Sequence, residues 1–337
     1  MPAMSQRPAA PTLESPVHVD PADLETHRVV LTAYCYRMLG SAFEAEDAVQ
    51  ETLLRAWRAL DRFEGRSSLR SWLYRIATNV CLDMLNGRDR RTRPIDIGPA
   101  QTAATPLPAP LDASAWIEPI PDERVVSADS DPAEVAITRE SVRLAFMAAL
   151  QVLPPRQRAV LILREVLRWQ ASEVAELLDT SVASVNSALQ RARATLASRE
   201  DAATGTAGEL DDSTRELLAR YVDAFERYDM AALTAVLHAD ATWSMPPHPM
   251  WLQGHTDIVD WCLGPGIGCR GSRLVPLAAN GSPAFGQYKP DAGGRLLPWA
   301  LHALEIEGDR IAGITFYLDT ARVFPLFGLP PVLDHEA

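Results

Sequence analysis

The chain has 337 residues, 47% of them hydrophobic, with four cysteines and a formal net charge of −12 at pH 7. That length predicts two to three domains, and the sparse cysteines suit a reducing compartment rather than a disulfide framework. No apolar run reaches 18 residues and no signal peptide is evident, so a cytoplasmic protein with no membrane partner is expected.

Residues 1–21, rich in proline and alanine, are expected to be disordered. Two runs of helical period follow. Ala48, Leu53 or Thr52, Ala56 and Leu60 share one face of the first, and Leu69, Leu73, Ile76, Ala77 and Val80 share one face of the second. Gly65-Arg-Ser-Ser between them reads as a polar hinge. Residues 54–93 hold ten arginines against four acids, a basic island in an acidic chain. Counterion release makes such an island a phosphate-binding surface, with Arg88, Arg90, Arg91 and Arg93 as contacts and Trp57, Trp72 and Tyr74 as stacking platforms for bases; the alternative is a solvated helix face.

Residues 96–140 carry nine acids, two arginines and repeated prolines (Pro106, Pro108, Pro110, Pro119, Pro121). This composition predicts an extended, self-repelling linker over 96–137 that does not form a packed core. It is read either as a mimic of DNA or as a spacer, and the family resemblance given below implies a third reading, a segment lying in a polymerase channel.

The stretch 170–193 predicts two short helices joined by a tight turn. Val174, Ala175, Leu177 and Leu178 stripe the first helix, and Val182, Val185 and Leu189 the second. Asp179-Thr-Ser supplies the turn, with Ser181 or Thr180 as the helix cap. Ser184, Asn186, Ser187, Gln190, Arg191 and Arg193 then face outward, where polar side chains reach base edges and arginines hold phosphate. The other reading is a polar helical hairpin that never meets DNA.

Three motifs in order, Glu46-Asp-Ala-Val-Gln-Glu, Phe63-Glu-Gly-Arg-Ser-Ser-Leu-Arg-Ser-Trp-Leu and Leu153-Pro-Pro-Arg-Gln-Arg-Ala-Val-Leu before the helix-turn-helix, make the chain resemble the sigma-70 family, specifically its small extracytoplasmic-function group. The resemblance implies two all-α domains: region 2 over 22–95, which binds core RNA polymerase and recognises the −10 element, and region 4 over 138–200, which recognises the −35 element. It implies that Asp47, Gln50, Glu51 and Arg55 dock on the β′ clamp coiled coil and that region 4 meets the β flap. It also implies that Glu64, Arg66, Ser67 and Ser68 capture a base flipped from the −10 element, with Arg70, Trp72, Arg75, Asn79, Arg90 and Arg91 along the separated strand. The −35 set is Ser181, Ser184, Asn186, Ser187, Gln190, Arg191 and Arg193. Many relatives carry basic residues where Asn186 and Ala188 stand, which predicts weak autonomous −35 binding and reliance on polymerase.

Residues 211–237 read as amphipathic helices, and strands are predicted at 241–245, 273–278, 283–288, 297–306 and 311–318. Helices followed by antiparallel strands predict an α+β domain with one curved sheet, assigned to 211–328 before a tail at 329–337. Leu218-Ala-Arg-Tyr-Val-Asp-Ala-Phe-Glu, Asp229, Leu233, His238-Ala-Asp-Ala-Thr-Trp and Pro246 resemble the SnoaL-like, NTF2-like cone fold of polyketide cyclases and ketosteroid isomerases. Those isomerases need a carboxylate base just before the proline after the first strand, and Met245 stands there. His302 reads as a base or ligand or as an interior histidine, and Tyr221 as an oxyanion partner or core. Tyr221, Trp243, Met245 and His302 are the candidate pocket residues, for a small hydrophobic ligand.

No catalytic residue, cofactor or metal is expected; Cys262, Cys269 and His255 offer three ligands at no recognised zinc spacing. The third domain is expected to sense a ligand or to pack on the sigma modules, with the apolar Phe324-Pro-Leu-Phe-Gly-Leu-Pro segment docked. The favoured reading is a sigma factor that directs promoter-specific initiation at the nucleoid. A ligand-sensing duplex-binding regulator and a DNA-tethered isomerase or cyclase are the alternatives.

Overall fold

A computed structural model of the chain describes residues 20–65, 67–127, 131–197 and 211–334. The expected disorder before residue 20, Arg66 of the hinge and the last three residues of the tail lie outside them.

The first module comprises α1 (Pro21–Glu25), α2 (Arg28–Leu39), α3 (Ala42–Ala59) and α4 (Leu69–Leu85). Three of its helices start on side-chain caps that satisfy free amides: Asp20 for α1, Ser41 for α3 and Ser68 for α4. Gly40 ends α2 at φ +74°, a left-handed position that suits glycine. Helix α2 is buried from Ala33 to Leu39, because it packs against α3 and α4 and also against the second module. That module runs α5 (Pro132–Val142), α6 (Leu144–Gln151), α7 (Pro155–Leu161), a π turn over Ile162–Val166, α8 (Ala171–Leu177) and α9 (Val182–Ala197).

The two modules share one buried apolar cluster. Across their junction the buried Arg37 guanidinium donates to Ser141 Oγ (3.0 and 2.7 Å), and Tyr74 lies 5.2 Å from Trp169, ring to ring. Arg158, also buried, donates to the Met38 carbonyl of α2 and to Gln151 Oε1 (2.7 Å).

The expectation of an unpacked linker is corrected. Residues 92–127 form no long regular element, as their prolines dictate, but Trp116, Ile117, Ile120 and Val125 are buried. The carbonyl of Glu118 accepts from Tyr36 Oη (2.8 Å), and Ile120 N donates to Asn280 Oδ1 (3.1 Å). Farther back, Gln101 N donates to the Trp251 carbonyl (2.9 Å) and Leu111 N to that of Pro247 (2.9 Å). The acids that should repel one another are partnered instead: Glu118 pairs with Arg322 (2.9 Å), and Asp122 accepts from Gly281 N (2.7 Å).

The third unit packs α10 (Asp212–Arg227), α11 (Met230–Val236) and α12 (Gly254–Leu263) on a six-stranded sheet: β1 (Leu237–Ser244), β2 (Trp251–Gln253), β3 (Arg273–Ala279), β4 (Ser282–Pro290), β5 (Leu296–Glu307) and β6 (Arg310–Tyr317), in the order β2-β1-β6-β5-β4-β3. The pairing is antiparallel except for β1 with β6, which is parallel and departs from the all-antiparallel expectation. Strand alternation splits β5: Ala300 and Leu304 belong to the core under the helices, whereas Leu301 and Ala303 belong to the cluster shared with the helical modules. One sheet therefore serves two cores. Helix α13 (Thr320–Leu326) closes the second face, with Val323 and Phe324 buried in it. Among the described residues no helix is long and apolar enough to cross a membrane.

Candidate functional site

Helix α9 presents a polar face. Ser181 caps it, its Oγ accepting from Ser184 N (3.1 Å), which resolves the choice between Ser181 and Thr180. Val185 and Leu189 are buried, while Ser181, Ser184, Asn186, Ser187, Gln190, Arg191 and Arg193 are all exposed. Arg193 is shared with Glu165 at 2.5 Å. Two expectations are corrected. Val182, the first residue of α9, is 44% exposed, and Ala188 is buried against the module core. A basic residue at 188 would point inward, so only Asn186 stands as a missing cation on this face.

On α3, Asp47, Gln50 and Arg55 are exposed and Glu51 half-buried. Arg55 pairs with Glu51 (2.6 Å) and with Asp83 of α4 (3.7 Å). At 100° per residue, Leu54 and Trp57 fall beside Gln50 on this outer face, and they are 47% and 60% exposed. Sequence reasoning gave Trp57 to the bases and passed over Leu54; the helical period that places both with Gln50 was the available signal.

On α4, Trp72, Arg75 and Asn79 share one face, with Arg75 and Asn79 exposed and Trp72 half-buried 5.0 Å from the Phe63 ring. Phe63 thereby pins the hinge to the helix. Glu64 is exposed, Ser67 half-buried, and the Ser68 hydroxyl is engaged in capping Ser71 N (3.1 Å). Arg70 does not join them; it turns to the opposite side, its Cζ 5.7 Å from the Tyr74 ring centroid.

The C-terminal end of the basic island turns inward. Arg91, assigned to the separated strand, is 8% exposed and is held by Glu44 (2.9 Å) and by the carbonyls of Ala113 (2.9 Å) and Trp116 (2.7 Å). Its guanidinium has no face left for a phosphate. Arg88 also pairs with Glu44 (2.5 Å), and Arg93 pairs with Asp96 (3.1 Å) and Glu305 (3.4 Å). Arg90 alone of the four arginines in 88–93 is exposed without a carboxylate within 4 Å among the described residues.

In the third unit, a cavity of about 540 Å³ opens between the sheet, α12 and linker residues Ala103–Leu107. Trp243 and Met245 line it, and Trp243 stacks on Phe316 (4.3 Å, 26°). Tyr221 and His302 do not line it; both are fully buried behind Phe225 and Phe316. His302 Nδ1 accepts from Tyr221 Oη (2.9 Å), and its Nε2 donates to Gln287 Oε1 (2.9 Å). Gln287 Nε2 passes to Ser272 Oγ (2.9 Å), which donates to the Cys269 carbonyl (2.7 Å). Each donor meets one acceptor and the series ends on backbone, a fully satisfied interior network. Burial pushes the His302 ring down to about 3 and raises the Tyr221 hydroxyl, so both are neutral. Cys262 and Cys269 are on the cavity wall, and burial pushes the Cys262 thiol up to about 12. His255 Nε2 instead meets the His238 carbonyl (3.0 Å), and the described residues contain no cluster of three metal-ligating side chains.

Comparison with known proteins matches residues 24–91 to sigma-70 region 2, 143–196 to sigma-70 region 4 and 218–314 to the SnoaL-like domain. The chain is 48% identical over 318 residues to the ECF RNA polymerase sigma factor SigG of Mycobacterium tuberculosis, covering 93% of this chain and 84% of that one. It is 27% identical to the SigJ sigma factor of the same organism, over 72% of each. The crystal structure of SigJ superposes with a TM-score of 0.58 at 22% identity, covering 92% of this chain and all of that one, which establishes a shared fold. Two helical sigma regions followed by a SnoaL-like sheet, carried by a chain this close to SigG, place the protein in the family of extracytoplasmic-function sigma factors of RNA polymerase.

Proposed function

We propose that this sigma factor docks on the clamp coiled coil of core polymerase through the α3 face of Asp47, Gln50, Glu51 and Arg55, with Leu54 and Trp57 as its apolar centre. The hinge after Phe63 and the face of Trp72, Arg75 and Asn79 then take the melted −10 strand, α9 reads the −35 element, and region 4 meets the β flap. Opening is driven by binding energy, since a splayed base costs least where pairing is already weak. The domain limits supported by the helices and linker are 22–95, 96–131, 132–197 and 211–334, the region 4 unit beginning at α5. The work is done in the cytoplasm, where core polymerase is.

The SnoaL-like unit regulates the sigma modules by packing on them. The observation that carries this is the single apolar cluster shared by both modules, the linker, the outer sheet face and α13. Its other core supports binding over isomerisation: the cavity wall carries no carboxylate or imidazole among the described residues, and Met245 cannot accept a proton. Transcription in vitro with purified core polymerase on genomic fragments tests the reading. Full-length chain should yield open complexes detectable by permanganate, and deletion of residues 320–337 should change their yield. No open complex on any fragment would refute the sigma role, and an unchanged yield on deletion would refute the regulatory one.

A further inference from the structure

Linker residues Ala103–Leu107 form part of the cavity wall, although they lie more than 100 residues from the rest of it. The linker is held there by backbone hydrogen bonds: Gln101 N to the Trp251 carbonyl (2.9 Å), Leu111 N to that of Pro247 (2.9 Å) and Ala103 N to Asp257 Oδ1 (3.1 Å). Anything that fills the cavity touches a segment that joins the two DNA-reading modules.

The wall states the chemistry of its occupant. Trp243, Phe316, Trp261 and Trp299 offer flat aromatic surface, and about 540 Å³ suits a molecule of two to three fused or linked rings. The polar groups are mostly spent: Tyr228 Oη lies between the carbonyls of Cys262 (2.7 Å) and Gly266 (2.9 Å), and both ends of the Gln287 amide are engaged. What is left is Lys289, the chain's single lysine and the one charged side chain lining the cavity among the described residues. Its Nζ rests 3.6 Å from the Trp299 ring centroid and makes no ion pair with any described residue. A half-buried ammonium held by a ring face and lacking a counter-ion is complementary to an anion.

Promoter geometry supplies the consequence. Sites named −10 and −35 are about 25 base pairs apart, on the order of 85 Å of duplex at 3.4 Å per step. With the linker pinned as far as Val125, the six residues before α5 reach roughly 20 Å. Separation of the modules therefore requires the linker to lift, and a ligand whose site is partly linker binds the closed state more tightly.

We propose that this cavity binds a small aromatic anion whose acid group pairs with Lys289, and that the bound molecule holds residues 103–107 down, keeps the two helical modules together and lowers promoter opening. The consequence for transcription rests on the sigma reading above; the binding site does not.

Anilinonaphthalene sulfonate and its uncharged analogue phenylnaphthylamine test this on the full-length chain by fluorescence titration. The anion should bind about tenfold more tightly than the neutral probe. Lys289→Met should abolish that preference while leaving the neutral probe within about twofold, which also reports that the variant is folded. At saturation the anion should slow hydrogen exchange at the amides of Gln101, Ala103 and Leu111, and should reduce open-complex yield with the wild-type chain but not with Lys289→Met at the same concentration. Equal affinity for the two probes, or unaltered exchange at those amides, overturns the proposal. A chain that binds the anion as expected but opens no promoter overturns the sigma reading and leaves the site standing.

Discussion

The arginines of residues 88–93 and those of α9 stand on the two DNA-reading modules, yet they end in opposite environments. Arg88, Arg91 and Arg93 fold onto Glu44, Asp96 and Glu305, whereas Arg191 stands in solvent and Arg193 is shared with a single partly exposed carboxylate. Counting charge along the chain singled out 54–93 as the basic island, yet three of its last four arginines turn inward. What decides is where the opposite charges fall in space. Glu44 and Glu305 are some 40 and 200 positions away in sequence and within 4 Å in the fold. The arginines after α4 fasten the first module to the linker and sheet, while the polar face of α9 stays exposed.

Adjacent residues give the sharpest way to break this comparison. Arg91→Met should cost about 2 kcal/mol or more in urea unfolding, because it leaves Glu44 with Arg88 as its one remaining arginine and removes donors from the carbonyls of Ala113 and Trp116. Arg90→Met, one position away and exposed, should stay within about 0.5 kcal/mol. Equal costs would mean that the inward network does not hold the modules together.

The same contrast between inward and outward groups extends to His302. The folded site holds its ring neutral down to about pH 3, while the unfolded chain takes up that proton below about 6.5. The unfolded state thus binds more protons between these values, and stability contributed by His302 falls as pH falls through that window. From pH 6.5 to 5 the loss should approach about 2 kcal/mol, read as a declining urea midpoint. His302→Gln should be less stable at pH 7, since it cannot reach both Tyr221 and Gln287, but should show a flatter decline. A decline as steep as that of the parent chain would show that other groups carry the acid sensitivity.

The legibility of the chain follows the range of its contacts. Helices α3, α4, α8 and α9 were readable because their apolar periods and caps lie within a few residues, and β3 to β6 because alternation and turn residues are local too. Strand β2 and helix α12 were missed, as the strand is three residues long and the chain turns from strand to helix at Gly254 with no alternation to mark either. The parallel β1–β6 pairing has no local signature. Proline and acid content correctly denied residues 96–127 a long regular element, but the expected limit at 137 was wrong, since Asp131 caps a helix over Pro132–Val142. The same composition concealed the docking because the partners of Ile120 and Asp122 are Asn280 and Gly281, about 160 residues on. For the site, Trp243 and Met245 were accessible through the cone-fold pattern, whereas the part played by Ala103–Leu107 depends on the docking that composition argued against. His302 illustrates the limit of residue type: whether a histidine works or packs is decided by what meets its two nitrogens.

The outward half of the comparison is tested most gently at Arg191. It is exposed, forms no ion pair among the described residues and sits beyond the capped start of α9, so Arg191→Ala should leave urea stability within about 0.5 kcal/mol. If it holds a phosphate, binding of holoenzyme to promoter duplex should weaken several-fold, and the slope of log affinity against log salt should fall by about 1, uniformly across promoter sequences. A base-reading arginine behaves differently, relaxing discrimination at one position of the −35 element with a cost of about 1 to 3 kcal/mol against the correct base. The salt slope and the mismatch profile separate those roles. A variant that changes neither would take Arg191 out of the interface and leave the face to Ser184, Ser187 and Gln190, whose hydroxyls and amide are too weakly attractive to phosphate to anchor α9 without polymerase.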